Sequence, residues 1–222
     1  MSNTLNTGAL IPKSQPYNAS PWAYGGTESV TTVPAGTVDW ILVELRQADA
    51  PSNATSTTTF ARRAAFLKSD GAITDLDGIS PVQFTDISLT GSNNLYVVIR
   101  HRNHLAIMSS VGVSSSNGVF SYDFTISLSQ AYGGGNGYKQ VGSAFAMISG
   151  DTDQDGSINV TDYNAWAAAF GFTNGYTKPD LDMDGSVLVS DYNKWAANFG
   201  MANAANLKSA TNRPKYFSGV PE

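Results

Sequence analysis

The sequence predicts a mainly β protein, with a β-sandwich followed by a small α-helical domain. Short segments of strand type, separated by turn-forming residues, fill the first 150 positions. Apolar residues with helical spacing occur only after residue 160, and an acidic segment there is repeated 29 positions later. We therefore predict an extended arm over 1–37, a sandwich over 38–149, a small domain over 150–201 and a tail over 202–222.

The arm and the strands can be assigned in order. Residues 1–37 are rich in Ser, Thr, Asn, Gly and Pro, so we expect an extended arm that joins the sandwich. Val38–Arg46 mixes alternation with a continuous apolar centre, which is typical of a strand buried on one face and partly on the other. Ser69-Asp70-Gly71 is a hairpin signal between two further strands. The later predicted strands are Phe60–Lys68, Ala72–Leu76, Val82–Ile87, Leu95–Arg102, Leu105–Met108, Val111–Val113, Val119–Leu128 and Ala144–Ile148. A barrel is the alternative closure.

The repeated acidic segment has the pattern of a calcium-binding loop. Loop 1 (Asp151–Asp162) and loop 2 (Asp180–Asp191) each carry Asp at positions 1, 3, 5 and 12 and Gly at position 6. That spacing can surround Ca²⁺ with oxygen atoms, and the glycine permits the sharp bend. The predicted ligands are Asp151, Asp153, Asp155, the Ser157 carbonyl, Asn159 and Asp162, and then Asp180, Asp182, Asp184, the Ser186 carbonyl and Asp191. The alternative, ordinary solvated turns, fits a matched duplication less well.

The two loops differ at position 9. Asn159 can bind an ion directly or through water, whereas Leu188 cannot, so we expect loop 2 to use a water there. Closely spaced carboxylates repel one another, and calcium is therefore expected to become part of the fold. The sequence thus predicts two Ca²⁺ ions.

Each loop continues into a short helical pattern. Tyr163, Trp166 and Phe170 follow helical spacing after loop 1, and Tyr192, Trp195 and Phe199 do so after loop 2. Thr161 and Ser190 are candidate N-caps, and Gly171 and Gly200 are candidate left-handed ends. We expect the two aromatic stripes to face each other as the core of this small domain.

These features resemble a dockerin domain. The shared features are Asp rather than Glu at loop position 12, a single helix after each loop, and duplication over residues 150–200. The resemblance implies a calcium-stabilised domain that contacts a protein partner, either a cohesin-like module or copies of this chain. Helix positions Asn164, Ala165, Asn193 and Lys194 do not identify that partner.

The sandwich segment resembles a module of secreted and surface proteins of Bacteroidota-type bacteria. The residues that carry this resemblance are Gln15-Pro16-Tyr17-Asn18, Pro21-Trp22, Gly26-Thr27-Glu28-Ser29-Val30, Val38–Arg46, Asp75-Leu76-Asp77-Gly78 and Tyr96–Leu105. The resemblance implies a secreted or cell-surface location rather than a chemical activity.

Composition excludes several classes of function. Residues 151–222 hold 5 Lys and Arg against 9 Asp and Glu, so two Ca²⁺ ions would cancel this deficit, and no basic stripe for nucleic acid remains. The absence of cysteine excludes disulfides and thiolate catalysis. No apolar run is long enough to span a membrane. Met1–Thr7 lacks the features of an export signal, so we expect that a signal was removed or never preceded this sequence.

Other candidate sites have plainer explanations beside the functional ones. His101 and His104 could bind zinc or act as a base, but on one strand they would point to opposite faces. Tyr17, Trp22 and Tyr24 could stack on a glycan, although burial is the alternative. Asn53–Thr59 could carry glycans. A third Ca²⁺ site is conceivable at Asp70, Asp75, Asp77 and Asp86.

Two functions follow from these observations. The first is an exported, non-enzymatic structural protein whose dockerin-like domain mediates protein contacts, with self-assembly into a filament or surface structure as one form. The second is a carbohydrate-binding module that its dockerin carries to a larger complex. The apolar end Lys215–Pro221 would pair with the sheet or donate a strand to another subunit.

Overall fold

The computed structural model describes residues 1–85, 87, 89 and 94–207. The chain is mainly β, with antiparallel sheets and few helices, which is consistent with the predicted sandwich. The strands are β1 Thr37–Ala48, β2 Thr59–Lys68, β3 Ile73–Thr74, β4 Asn94–His101, β5 His104–Met108, β6 Ser115–Ser116, β7 Val119–Phe120, β8 Tyr138–Val141 and β9 Ala144–Met147. The α-helices are α1 Thr4–Thr7, α2 Val160–Ala169 and α3 Val189–Asn198.

The principal sheet has five strands in the order β3-β2-β1-β4-β5. Strand β1 lies at its centre and pairs antiparallel with β2 and β4, so that Leu42 stands beside Ala64 and Arg100. Nearly every residue of β1 is buried, which exceeds the predicted burial of one face and part of the other. The sheet is therefore covered on both faces.

The N-terminal arm covers one face of the sheet. The Tyr17 hydroxyl donates a hydrogen bond to the Trp40 carbonyl at 2.7 Å, and the Trp40 indole donates to the Pro12 carbonyl at 2.8 Å. Trp22 and Tyr24 are buried in the same cluster, together with Leu5 of α1. Tyr17, Trp22 and Tyr24 are thus buried against the sheet, as the burial alternative predicted, and do not form an exposed platform for a glycan.

Hairpin β8–β9 and the loops beside it cover the opposite face. Tyr138, Phe124 and Phe145 pack there against Ile41, Val43 and other buried residues of the sheet. The predicted strand Val119–Leu128 is wrong, because only Val119 and Phe120 pair, with the short strand β6. Ile126 and Leu128 are exposed instead. Alternation alone did not suffice to form a strand here, because none of the described strands pairs with residues 121–128.

Several other predictions need adjustment. Val111–Val113 forms no strand, and residues 82–85 of the predicted strand Val82–Ile87 are irregular. Strand β8 was not predicted. Asp86 and the predicted apolar end Lys215–Pro221 lie outside the described residues. Within the described ranges, none of the helices combines the length and apolar character of a bilayer span.

Candidate metal centre

Loop 1 brings three carboxylates to one point. Oxygen atoms of Asp151, Asp153 and Asp155 lie within 4.8 Å of one another. Asp151 is 1% exposed, whereas Asp153 and Asp155 face solvent. The Asp155 amide donates to Asp153 Oδ1 at 3.1 Å, and the Ser157 amide donates to Asp155 Oδ1 at 2.7 Å. These hydrogen bonds fold the loop around its own side chains.

Loop 2 repeats the arrangement with a different internal contact. Oxygen atoms of Asp180, Asp182 and Asp184 also lie within 4.8 Å of one another. Both oxygens of Asp180 accept backbone hydrogen bonds at 3.1 Å, from the amides of Asp184 and Gly185. Position 4 is left-handed in both loops, with φ of 63° at Gln154 and 62° at Met183. The duplication in sequence is therefore a duplication in backbone conformation.

The position-12 aspartates stand apart from these groups of three. Asp162 accepts hydrogen bonds from the amides of Thr152 at 2.7 Å and Asn159 at 2.9 Å. Asp191 does the same for Leu181 at 2.6 Å and Leu188 at 2.8 Å. Each carboxylate joins the start of its loop to the start of the helix that follows.

These contacts correct the predicted helix starts. The N-caps are Asn159 and Leu188, two residues earlier in each case than Thr161 and Ser190. The Asn159 side chain accepts from the Thr161 amide, whereas leucine has no such acceptor. At both helices the position-12 carboxylate accepts a hydrogen bond from the N-cap amide, of Asn159 or of Leu188. Gly171 and Gly200 follow the helices with φ of 90° and 85°, as predicted.

The electrostatics of both loops favour a cation. Burial, followed by the charges of Asp162, Asp153 and Asp155, raises the pKa of Asp151 to about 8. Burial raises the pKa of Asp180 to about 7, and Arg102 opposes that shift. Because a divalent ion favours the ionised form, it would relieve both effects.

One oxygen in each loop is buried without a hydrogen-bond partner. These atoms are Asp151 Oδ1 and Asp182 Oδ1. An unpartnered buried carboxylate oxygen is costly, and a metal ion is one ligand that satisfies it. Carboxylate and carbonyl oxygens are also the donors that Ca²⁺ prefers. The residues present therefore fit a calcium ion in each loop.

The acidic region has two halves, each a loop with the helix that follows it, and backbone hydrogen bonds join the halves. Ile158 of loop 1 exchanges backbone hydrogen bonds with Gly200 at 2.9 Å and Met201 at 2.8 Å, after α3. Val187 of loop 2 does the same with Gly171 at 2.9 Å and Phe172 at 2.8 Å, after α2. Since each loop pairs with the segment behind the other helix, neither half can complete its hydrogen bonds alone.

Aromatic side chains add further contacts between the two halves. The Trp166 indole donates to the Leu188 carbonyl, and the Trp195 indole donates to the Asn159 carbonyl, both at 2.9 Å. Ring centroids are 5.2 Å apart for Tyr163 and Trp195 and 5.2 Å for Trp166 and Tyr192. The stripes face each other as predicted. They are not a closed core, however, because Phe170 and Phe199 at their ends are each 53% exposed.

The turn between β4 and β5 carries both histidines, and the prediction of opposite faces is wrong. A two-residue turn at Arg102 and Asn103 makes His101 and His104 cross-strand neighbours. Their Nδ1 atoms are 2.8 Å apart, and His101 Nε2 lies 3.1 Å from Asp39 Oδ2. Burial lowers the pKa of His104. These ring nitrogens therefore take part in a buried hydrogen-bond network.

Asp39 is the centre of that network. It accepts from Arg102 Nε at 2.8 Å and from the Tyr176 hydroxyl at 2.7 Å. Although burial opposes ionisation, Arg102 and His101 hold the pKa of Asp39 well below its ordinary value. Tyr176 belongs to the segment between the two acidic halves, so the network spans the sheet and the acidic region. Sequence reasoning missed this role, because the spacing of Asp39 and Arg102 gives no signal of contact.

Two amides connect the turn to the loops in opposite directions. Asn103 Nδ2 donates to the carbonyls of Lys178 at 2.9 Å and Asp180 at 2.7 Å, at the entrance of loop 2. Gln154 Nε2, in loop 1, donates to the His104 carbonyl at 3.1 Å. The β4–β5 turn is thus held by both loops.

The described aspartates of the predicted third site, Asp70, Asp75 and Asp77, do not converge on one point. Asp75 accepts from Arg63 at 2.8 Å, Asp77 accepts from the Ser80 hydroxyl at 2.6 Å, and Asp70 accepts from the Ala72 amide at 3.0 Å. Each carboxylate therefore closes its own turn or ion pair. Across the placed part of the chain, acidic groups of three occur in loops 1 and 2 alone.

Comparison with known proteins leaves the family open. No protein-family model matches the chain, and no curated protein matches it. A crystal structure of an interface mutant of a type II cohesin–X–dockerin complex from Acetivibrio cellulolyticus is similar at 18% identity, with a TM-score of 0.39. The match covers 72% of this chain and 82% of that chain. A likeness of this extent assigns neither a family nor a function.

Proposed function

We propose that the chain is an exported, non-enzymatic assembly protein whose dockerin-like region binds two Ca²⁺ ions and contacts copies of the same chain. In this proposal, residues 38–149 form the β-sandwich and 150–201 the calcium-binding domain, with the arm over 1–37 and the tail over 202–222 beside them. The observation that carries it is an exposed apolar surface that follows the repeat of the calcium loops.

The calcium part of the proposal rests on the matched acidic groups and their unpartnered oxygens. Asp151, Asp153, Asp155 and Asp162, with the Ser157 carbonyl and Asn159, would hold one ion in loop 1. Asp180, Asp182, Asp184 and Asp191, with the Ser186 carbonyl, would hold the other in loop 2. The ions would neutralise the aspartates and stabilise both loops.

The contact part of the proposal rests on exposed side chains. Eight of the eighteen large apolar side chains exposed in the described residues lie between Val160 and Met201. Two pairs are related by the repeat: Val160 and Val189 are each 57% exposed, and Phe170 and Phe199 are each 53% exposed. Soluble monomers rarely expose contiguous apolar patches of this kind, so the surface suits a protein partner.

Light scattering as a function of calcium tests this function. We expect the chain to be monomeric in EDTA and to grow in mass when calcium is added. The variant Phe170→Ser/Phe199→Ser should remain monomeric in calcium, because it removes apolar area from the contact. A matched control, Phe60→Ser/Phe120→Ser, removes two exposed phenylalanines elsewhere and should associate normally. A wild-type chain that stays monomeric at all calcium concentrations would exclude self-assembly.

A further inference from the structure

Arg102 is a buried cation directed at one of the two loops. Its side chain is 2% exposed, and its Nε donates to Asp39 Oδ2 at 2.8 Å. The guanidinium lies over the Tyr176 ring, 4.4 Å from its centroid, and Nη1 donates to the Thr177 carbonyl. Nη2 has no hydrogen-bond partner and lies 3.8 Å from Asp180 Oδ2. The free edge of a fixed positive charge therefore faces the first aspartate of loop 2.

Loop 1 has a different electrostatic environment. Asp151, the equivalent aspartate, keeps one oxygen without a partner and makes none of the ion pairs seen in the described ranges. The basic side chain that interacts electrostatically with Asp153 and Asp151 is Lys178, whose amine lies over the Trp22 ring at 4.5 Å from the centroid. The ammonium of a lysine can move on its flexible stem, whereas the Arg102 guanidinium is held by Asp39, Tyr176 and Thr177.

The difference bears directly on calcium binding. Arginine stays protonated in proteins, so Arg102 cannot lose its charge to accommodate a second cation. Repulsion between a divalent ion and a guanidinium beside its first ligand weakens binding, and the low dielectric of a buried site enlarges the effect. Asp180 must also share both oxygens with backbone amides. Leu188 at position 9 offers no side-chain oxygen.

We propose that Arg102 is an affinity-determining residue that makes loop 2 the weaker calcium site, so that loop 1 fills first and loop 2 fills at higher calcium concentration. This inference rests on the proposed function in that both loops must hold calcium. Because Asn103 donates to the Asp180 carbonyl at the entrance of loop 2, the weaker ion would bind beside the β4–β5 turn.

Calcium titration calorimetry on single-loop variants tests the inference. Asp155→Ala disables loop 1 and Asp184→Ala disables loop 2, and both side chains are exposed. In the Asp155→Ala background, Arg102→Met should tighten loop 2 by at least about tenfold. In the Asp184→Ala background, the same substitution should change loop 1 by less than about twofold. Arg63→Met is the matched control, because it removes the same charge from an arginine that pairs with Asp75, outside both loops, and it should alter neither affinity.

A second variant separates the charge effect from misfolding. Arg102→Met leaves the buried Asp39 carboxylate without its arginine counter-charge, whereas Asp39→Asn/Arg102→Met removes both charges of the pair. We expect loop 2 affinity to rise in the order wild type, double variant, single variant. Equal effects of Arg102→Met on both loops, or none on loop 2, would overturn the inference.

The last comparison is made in single-loop variants that keep Arg102. With loops measured one at a time, loop 1 should bind calcium at least about tenfold more tightly than loop 2. Equal affinities, or tighter binding by loop 2, would contradict the inference while leaving the proposed function intact. Failure of both loops to bind calcium would instead overturn the proposed function.

Discussion

Loop 1 and loop 2 share a sequence pattern and a backbone conformation, yet they contact the sheet in different ways. Loop 1 sends a side chain to the sheet, since Gln154 donates to the His104 carbonyl. Loop 2 receives side chains from the sheet, since Asn103 donates to its entrance and Arg102 faces Asp180. The duplication therefore produced two similar loops, and the β4–β5 turn gives each of them a different contact with the sheet.

The junction also explains why charged residues are buried at the end of a hairpin. Hairpin turns are normally on the surface, yet Arg102 and Asn103 are almost fully buried. They are covered because the acidic region packs over the turn, and Asp39 balances the charge of Arg102. The sheet and the acidic region are therefore expected to unfold as coupled units.

The largest expected effect is the loss of Asp39. Asp39→Ala leaves Arg102 as a buried cation without its anion, which should lower the free energy of unfolding by about 3–5 kcal/mol. Urea denaturation measures this change. Asp49→Ala removes an exposed aspartate and should cost no more than about 1 kcal/mol. Equal losses in the two variants would show that the network at Asp39 does not stabilise the fold.

A smaller effect is expected from removing the side-chain amide that connects each loop to the sheet, and it should differ between the two loops. Asn103→Ala leaves the carbonyls of Lys178 and Asp180 without this donor and should cost about 1–3 kcal/mol. Gln154→Ala removes the matching amide from loop 1. Amide hydrogen exchange should increase in loop 2 for the first variant and in loop 1 for the second. Exchange that increases equally in both loops after either change would contradict separate anchoring.

The smallest expected effect tests the indole hydrogen bonds between the two halves of the acidic region. Trp195→Phe and Trp166→Phe each remove one indole hydrogen bond, at a cost of about 1 kcal/mol. Because each indole reaches the loop of the other half, Trp195→Phe should perturb the backbone signals of Asn159 in loop 1. Trp166→Phe should perturb those of Leu188 in loop 2. Nuclear magnetic resonance measures these changes. Signals that change only in the helix carrying the substitution would contradict hydrogen bonding between the two halves.

Local patterns predicted much of the acidic region and of the central sheet. The spacing of Asp and Gly, and the aromatic stripes after it, predicted both loops and both helices, because these features depend on neighbours a few residues apart. Val38–Arg46 predicted β1 for the same reason, although its mixed pattern indicated burial of one face and only part of the other, whereas β1 is buried on both.

Features that depend on distant contacts were not predicted. The burial of Arg102 follows from its packing under Tyr176, which is far away in sequence. The alternation of Val119–Leu128 suggested a strand, but strand formation also requires a partner, and only its first two residues have one. Burial of Tyr17 and Trp22 was anticipated as an alternative to glycan stacking, but the sequence did not show that they pack on Trp40 and Phe66 of the sheet. In each of these examples, contacts with residues distant in sequence determined the burial or the secondary structure.

Calcium titration of the chelated wild-type chain by calorimetry tests the central claim most directly. Two Ca²⁺ ions should bind per chain, and at a concentration about 1,000 times a site's dissociation constant that site should add about 4 kcal/mol to the free energy of unfolding. The absence of binding heat, together with identical thermal unfolding in calcium and in EDTA, would contradict the account.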